Sequence, residues 1–332
     1  MRQILAPEPL ESVSSRKSAT FSAIIAAYQA AAFIAEALES LLAQTVAPIE
    51  IIVCDDGSTD DLTGALAPYL DRIKLIRQEN RGPAAARNVA ARAASGDFIA
   101  ILDADDVYYP ERLEALSELN ARRPDLDILT ADCHVIAGGK FIRNCYHEHY
   151  RFATNNQRQA ILRENFLGPG HMSVRRDRFL AVGGLDERFV QAEDWDCWIR
   201  MILSGSRAGM VNEPLAEYRV HPTSLASDRV RLSEGKVAVL EKTALRDDLS
   251  PVERQTLDDS LAEQRGLLTL RRARAALAAS RSDARRLALQ VAFTSKLPLR
   301  VRLGAVVAAA FPRFARRRLA ASGPELAAGV RG

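Results

Sequence analysis

The chain has 332 residues, 48% hydrophobic and 26% charged, a composition that excludes a disordered or fibrous protein and allows a large buried core. Its formal charge of +3 conceals an asymmetry: residues 229–332 hold 21 Lys and Arg against 10 Asp and Glu, a net of +11, whereas residues 1–228 hold 24 against 32, a net of −8. Two parts with different partners are implied, and four scattered cysteines without a C-x-x-C pair indicate neither a disulfide framework nor a zinc module and fit a reducing cytosol.

Residues 1–19 contain two prolines and several serines with no apolar period, and read as a flexible segment. The alanine-rich stretch from Phe21 to Ala43 follows Arg16 and Lys17, but Tyr28, Gln29, Glu36, Glu39 and Ser40 interrupt it, which argues against a signal peptide or membrane span. FSAIIAA (21–27) and IEIIVCD (49–55) are short apolar runs of the kind buried on both faces of a sheet. Apolar pairs at 33/34, 37/38 and 41/42 recur at helical spacing between them, so the spacing predicts a β-α-β unit. A helix near 61–70, a strand at 73–77, a helix from Pro83 to Ala94 and a strand at 98–102 continue the alternation, followed by a helix at 110–122 and a strand near 127–131. That order predicts a parallel sheet with right-handed crossovers. Residues 132–170 read as irregular and polar, GHMSV (170–174) as a strand, and EDWDCWIRMILSG (193–205) as a helix with Gly205 at its cap. Beyond residue 228 three or four helices are expected, with breaks near Ser250-Pro251 and Pro298.

Two acidic clusters fall where strands should end: Asp55-Asp56, and Asp103 with Asp105 and Asp106. In parallel α/β sheets that edge is where ligands bind. Crowded carboxylates repel unless a cation offsets them, and Asp103 and Asp105 are spaced so that both can turn toward one hard divalent ion that also holds substrate phosphates. A turn and helix cap would use the same residue types, with Asp106 the natural cap before Pro110.

Taken in order, FSAIIAAYQA, IEIIVCDDGSTD, NRGPAAARNVAARAASGDFIAILDADD, VGGLDERF and AEDWDCWIRM resemble the successive motifs of the family 2 glycosyltransferases over residues 21–201. The resemblance implies a GT-A fold: an α/β, Rossmann-like, mostly parallel sheet flanked by helices over 20–228, with a basic C-terminal helical region over 229–332. It implies an inverting, hexosyltransferase-like enzyme that moves a sugar from a nucleotide-diphosphate donor, with Mg²⁺ or Mn²⁺ as cofactor. By position, Asp105 matches the metal ligand, and Asp103 the residue that touches the ribose or helps hold the ion. Ala26, Tyr28, Asp56 and Arg87 match the nucleotide pocket. Tyr28 there is an apolar wall, unless it is ordinary packing. Asp194 matches the base that takes the acceptor hydroxyl's proton, with Glu193 in reserve. His221 would meet the metal or the diphosphate and Arg219 the diphosphate, although a structural histidine is the plainer alternative. Gln29 departs from the asparagine usual after the tyrosine. His134, His147 and His149 have no metal-ligand spacing and read as a polar loop.

Residues 281–318 carry ten Lys and Arg against Asp283 alone, around apolar runs too short to span a bilayer. They suit an anionic membrane surface, and equally a solvated helical bundle or protein-binding face; nucleic acid is not expected. The expected partners are thus a nucleotide-sugar donor, a glycan or lipid-linked acceptor of cell-surface polysaccharide synthesis, and that membrane surface. The expected location is the cytoplasm, peripheral on the inner face of the plasma membrane. A catalytically silent nucleotide-sugar-binding protein is the alternative. A nucleotidyltransferase would need a glycine-rich basic loop that AAYQAAAF lacks.

Overall fold

The computed structural model describes residues 2–9, 19–148, 150–168, 171–221, 224 and 227–321; His149 lies outside them. The chain divides into two compact units, Met1–Ile161 with Asn165–Ser224, and Leu162–Glu164 with Leu225–Gly332.

In the first unit, β2 (Phe21–Ala27), β3 (Glu50–Asp55), β4 (Lys74–Arg77) and β5 (Phe98–Asp103) run parallel in the order β5-β2-β3-β4. Their connections are α1 (Ile34–Leu42), α2 (Leu62–Leu66) and α3 (Pro83–Ala93). Ile24, Ile25, Ile52, Val53, Ile99 and Leu102 are fully buried, as apolar strands covered on both faces must be. Pro83 opens α3 where its missing N–H costs nothing. Before β5, Gly96 lets the chain pass close to β2, since a Cβ there would lie 2.7 Å from the Ser22 nitrogen. Registers Ala26↔Asp103 and Ala27↔Asp55 bring the ends of β2, β3 and β5 to one edge of the sheet.

Beyond β5 the sheet is mixed. After β6 (Val107–Tyr108) and α4 (Arg112–Arg122) come β7 (Ile128–Ala137), β8 (Lys140–Asn144) and α5 (Gln157–Arg163). Next, β9 (Ser173–Arg175) lies antiparallel between β5 and β7 and is followed by α6 (Arg176–Ala181) and α7 (Glu193–Leu203). β10 (Ala208–Val220) runs parallel to β7 and also pairs with β6. The segment read as irregular after residue 132 thus continues β7 and turns back as β8. Its strand character is hidden by Asp132, buried but satisfied by Asn144, Tyr146 and the Cys133 N–H. The lead-in read as flexible contains β1 (Ile4–Leu5), which pairs antiparallel with β10.

The second unit has five described helices where three or four were expected: α8 (Arg229–Ala244), α9 (Pro251–Ala278), α10 (Ala284–Phe293), α11 (Leu299–Ala310) and α12 (Pro312–Ala321). Ser250 and Glu253 form a reciprocal capping box that starts α9, and Pro312 forces the additional break after α11. Ala276, Leu277, Leu287, Val291 and Ala305 belong to its core. Among the described residues no helix is long and apolar enough to cross a membrane.

Candidate active site

The edge where β2, β3 and β5 end is built from loops that satisfy one another. Gln29, at φ +53°, is the residue that departs from asparagine, and its side-chain oxygen accepts the N–H groups of Thr59 and Asp60 at 2.8 and 3.0 Å. It therefore fastens the D-D-G-S-T-D turn to the end of β2. Asp56 is buried and accepts from Gln78 at 2.7 Å, from the Arg81 N–H at 2.9 Å and from the Gly82 N–H at 2.8 Å. Those three bonds leave about one of its lone-pair sites for a ligand. Tyr28 is 51% exposed, which rules out ordinary core packing.

The three aspartates after β5 have three different partners. Asp103 meets Arg87 of α3 at 2.5 Å, and the same guanidinium reaches Glu193 of α7 at 2.8 Å. Burial alone would lower the Arg87 pKa, but the charges of Asp103 and Glu193 more than reverse this and raise it. Asp105 lies 2.8 Å from His221 Nε2, whose ring stacks on Phe33. Asp106 is fully buried against His171 Nε2 at 2.7 Å and also accepts the Arg219 N–H at 2.7 Å. It braces β10 against this turn, the bracing alternative to a helix cap before Pro110.

Burial disfavours a charged His171, yet Asp106 outweighs it and pushes the imidazole up to about 9. Because the folded value is raised, the stabilisation is complete below the unfolded value near 6.5 and lost as pH rises through about 9. The melting temperature of the wild type is therefore expected to fall between pH 6.5 and 9, and that of His171→Gln to start lower and follow a different profile, because the buried Asp106, already pushed up to about 6, loses the imidazole that lowers it. Parallel profiles would contradict the pairing.

α7 begins directly at the E-D pair. Ala192 before it sits at φ +64°, a left-handed conformation that costs a non-glycine residue about 1 kcal/mol or more and is concentrated at functional sites. Glu193 is buried, and burial pushes its carboxyl up to about 7 despite Arg87. Asp194 is only partly buried; its Oδ1 accepts the Trp195 N–H at 2.7 Å and its Oδ2 accepts from Asn165 at 3.0 Å. The V-G-G-L-D turn is held from both sides, by Asn88 bonding Leu185 and by Arg200 bonding the carbonyls of Val182 and Gly184. Gly184 is required there: it has φ +69°, and a Cβ would lie 2.5 Å from Asn88 Oδ1.

Some of the expected residues are engaged by other side chains. Arg219 spends its guanidinium on Glu36 at 2.6 Å and Glu217 at 3.1 Å. His134 bonds the Tyr109 hydroxyl at 2.9 Å, and His147 pairs with Tyr150. Among the described residues no three His, Cys, Asp or Glu converge on one point as a metal cage. Asp105 and His221 are hydrogen-bonded at 2.8 Å; Asp105 brings the carboxylate that a hard divalent ion takes, and an ion shared with His221 would have to replace the proton between them. Such ions take one or two protein ligands and complete the shell with substrate phosphates. Sequence reasoning missed Asn165, Asn88 and His171; only their polar character within an apolar or turn-rich setting marked them.

A sequence profile described as glycosyl transferase family 2 matches residues 22–183. An uncharacterized glycosyltransferase of Haemophilus influenzae is 30% identical over 205 residues, 60% of this chain and 68% of that protein. Other relatives are matched over 81% down to 16% of their length. The Escherichia coli protein UDP-Glc:alpha-D-GlcNAc-diphosphoundecaprenol beta-1,3-glucosyltransferase WfgD is 29% identical over 220 residues, 63% of this chain and 81% of its own. The fold is that of mannosyltransferase PcManGT from Pyrobaculum calidifontis, solved with GDP-Man and Mn²⁺: TM-score 0.58, 20% identity, covering 98% of this chain and 84% of that one.

Proposed function

The chain belongs to glycosyl transferase family 2, and from that premise we propose that it transfers a hexose, with inversion, from a nucleotide-diphosphate sugar to a hydroxyl of a lipid-linked glycan. Cell-surface polysaccharide synthesis is the process that such an acceptor suits. The reading is carried by one observation: Arg87 ties Asp103, on the donor side, to Glu193, the neighbour of the Asp194 base. Arg87 would thereby hold the donor side and the base in one frame.

Asp56 and Tyr28 would receive the base, with the Ala26 backbone and Asp103 beside the ribose. Asp105 and His221, with Asp103 at the margin, would hold Mg²⁺ or Mn²⁺, which when bound offsets the negative charge of the departing diphosphate. Arg219 retains spare N–H groups for a diphosphate oxygen beyond the bonds to Glu36 and Glu217. Asp194 takes the acceptor proton as the hydroxyl oxygen attacks the anomeric carbon, and Asn165 holds that carboxylate in place. The lipid-linked substrate named for WfgD and the ligands named for PcManGT support the choice of acceptor and donor classes.

The test is incubation of the protein with UDP- and GDP-sugars, Mn²⁺ and diphosphate-linked lipid glycans, with the product's anomeric configuration read by NMR. The expected product has the configuration opposite to the donor's. Retention would overturn the single displacement, and donor binding without turnover would favour the silent binding protein.

A further inference from the structure

We propose that the second unit docks on an anionic lipid bilayer through the outer face of α11 and the arginines around it. α11 is apolar on two sides. Val301, Ala305 and Ala308, at i, i+4 and i+7, turn inward onto the core formed with α9 and α10. Leu299, Leu303, Val306 and Val307, at i, i+4, i+7 and i+8, form a second stripe that faces outward. Phe293 ends α10 and Phe311 follows the last residue of α11, and these six side chains are between 46% and 81% exposed. A soluble surface helix buries one apolar stripe and keeps the other side polar; this one keeps its polar side apolar.

Charge selects the occupant. The segment that contains the stripe, residues 281–318, carries ten Lys and Arg against Asp283, and Arg300 on α11 itself and Arg313 and Arg317 on α12 are exposed. A second copy of this face would set like charge against like charge. A bilayer with acidic headgroups supplies phosphates for the arginines and hydrocarbon just beneath for the stripe. α11 is 12 residues long, about 18 Å at 1.5 Å per residue, far short of the roughly 30 Å hydrocarbon core. It therefore lies in the interface.

The test is flotation of the full chain with vesicles of phosphatidylglycerol and phosphatidylcholine, against pure phosphatidylcholine, at low and high salt. The expected result is flotation with the acidic vesicles at low salt. The double variant Leu303→Glu/Val307→Glu should partition about tenfold less or weaker still, and Arg313→Glu/Arg317→Glu should lose the preference for acidic lipid. All four positions are exposed, so an unchanged melting temperature is expected to confirm folding. No flotation of the wild type at either salt would overturn the proposal, as would equal flotation of the Leu303/Val307 variant. A variant that turns an oligomer into a monomer with flotation unchanged would assign the stripe to a second copy instead. The vesicles contain neither donor nor acceptor, so failure here leaves the transfer reading intact, and failure of transfer leaves this one.

Discussion

Asp194→Asn is expected to slow glycosyl transfer about a thousandfold while leaving donor affinity within a few fold of wild type. The substitution keeps the shape of the side chain, and its carbonyl can still accept the Trp195 N–H, although its amide NH2 can no longer accept from Asn165. The larger loss is the ability to take a proton from the attacking hydroxyl. Glu193 cannot replace it: its carboxylate is buried and bound to Arg87 at 2.8 Å. Glu193→Gln should therefore cost less in rate than Asp194→Asn, although it removes charge from the same pair. Initial-rate kinetics on both variants check the order; a rate for Asp194→Asn within tenfold of wild type would move the base elsewhere.

Asp105→Asn is expected to lower transfer at least about a hundredfold and to raise the Mn²⁺ concentration needed for half-maximal rate. An amide is a weaker ligand for a hard cation than a carboxylate and brings no charge to balance it. His221 would remain, its ring still stacked on Phe33 and its main-chain N–H still donated to the Ser224 hydroxyl at 3.2 Å. The effect should therefore concentrate in donor and metal binding, in contrast to Asp194→Asn, where it falls on the chemical step. Equal metal dependence in Asp105→Asn and wild type would remove Asp105 from the site.

Local pattern made much of this legible in the sequence. The isoleucine runs of β2 and β3 announce strands covered on both faces, Asp103 and Asp105 fall at the end of β5, and α7 begins at Glu193 as its periodicity requires. Pairings across the fold were not legible. Arg87 and Glu193 are 106 residues apart, and only the packing of α3 near α7 makes one guanidinium serve both Asp103 and Glu193. Asn165 lies in a stretch without period and finds Asp194 from there. Asp106 looked like a turn residue because its partner, His171, is 65 positions away on the approach to β9. β7 was cut short for a similar reason: a buried Asp132 reads as loop until Asn144 and Tyr146 supply its bonds. Each failure concerns a polar group whose burial is compensated by a residue distant in sequence.

Of the carboxylates after β5, Asp103 is offset by Arg87 and Asp106 by His171; the proposal is that Asp105 is kept for a cation that also holds the donor diphosphate. Calorimetric titration of UDP and GDP into the protein, with and without Mn²⁺, in wild type and Asp105→Asn, tests that most directly. One of the two nucleotides should bind wild type only when Mn²⁺ is present, and binding should be weakened severely in the variant. Binding of equal strength without the ion, or in Asp105→Asn, would contradict the account.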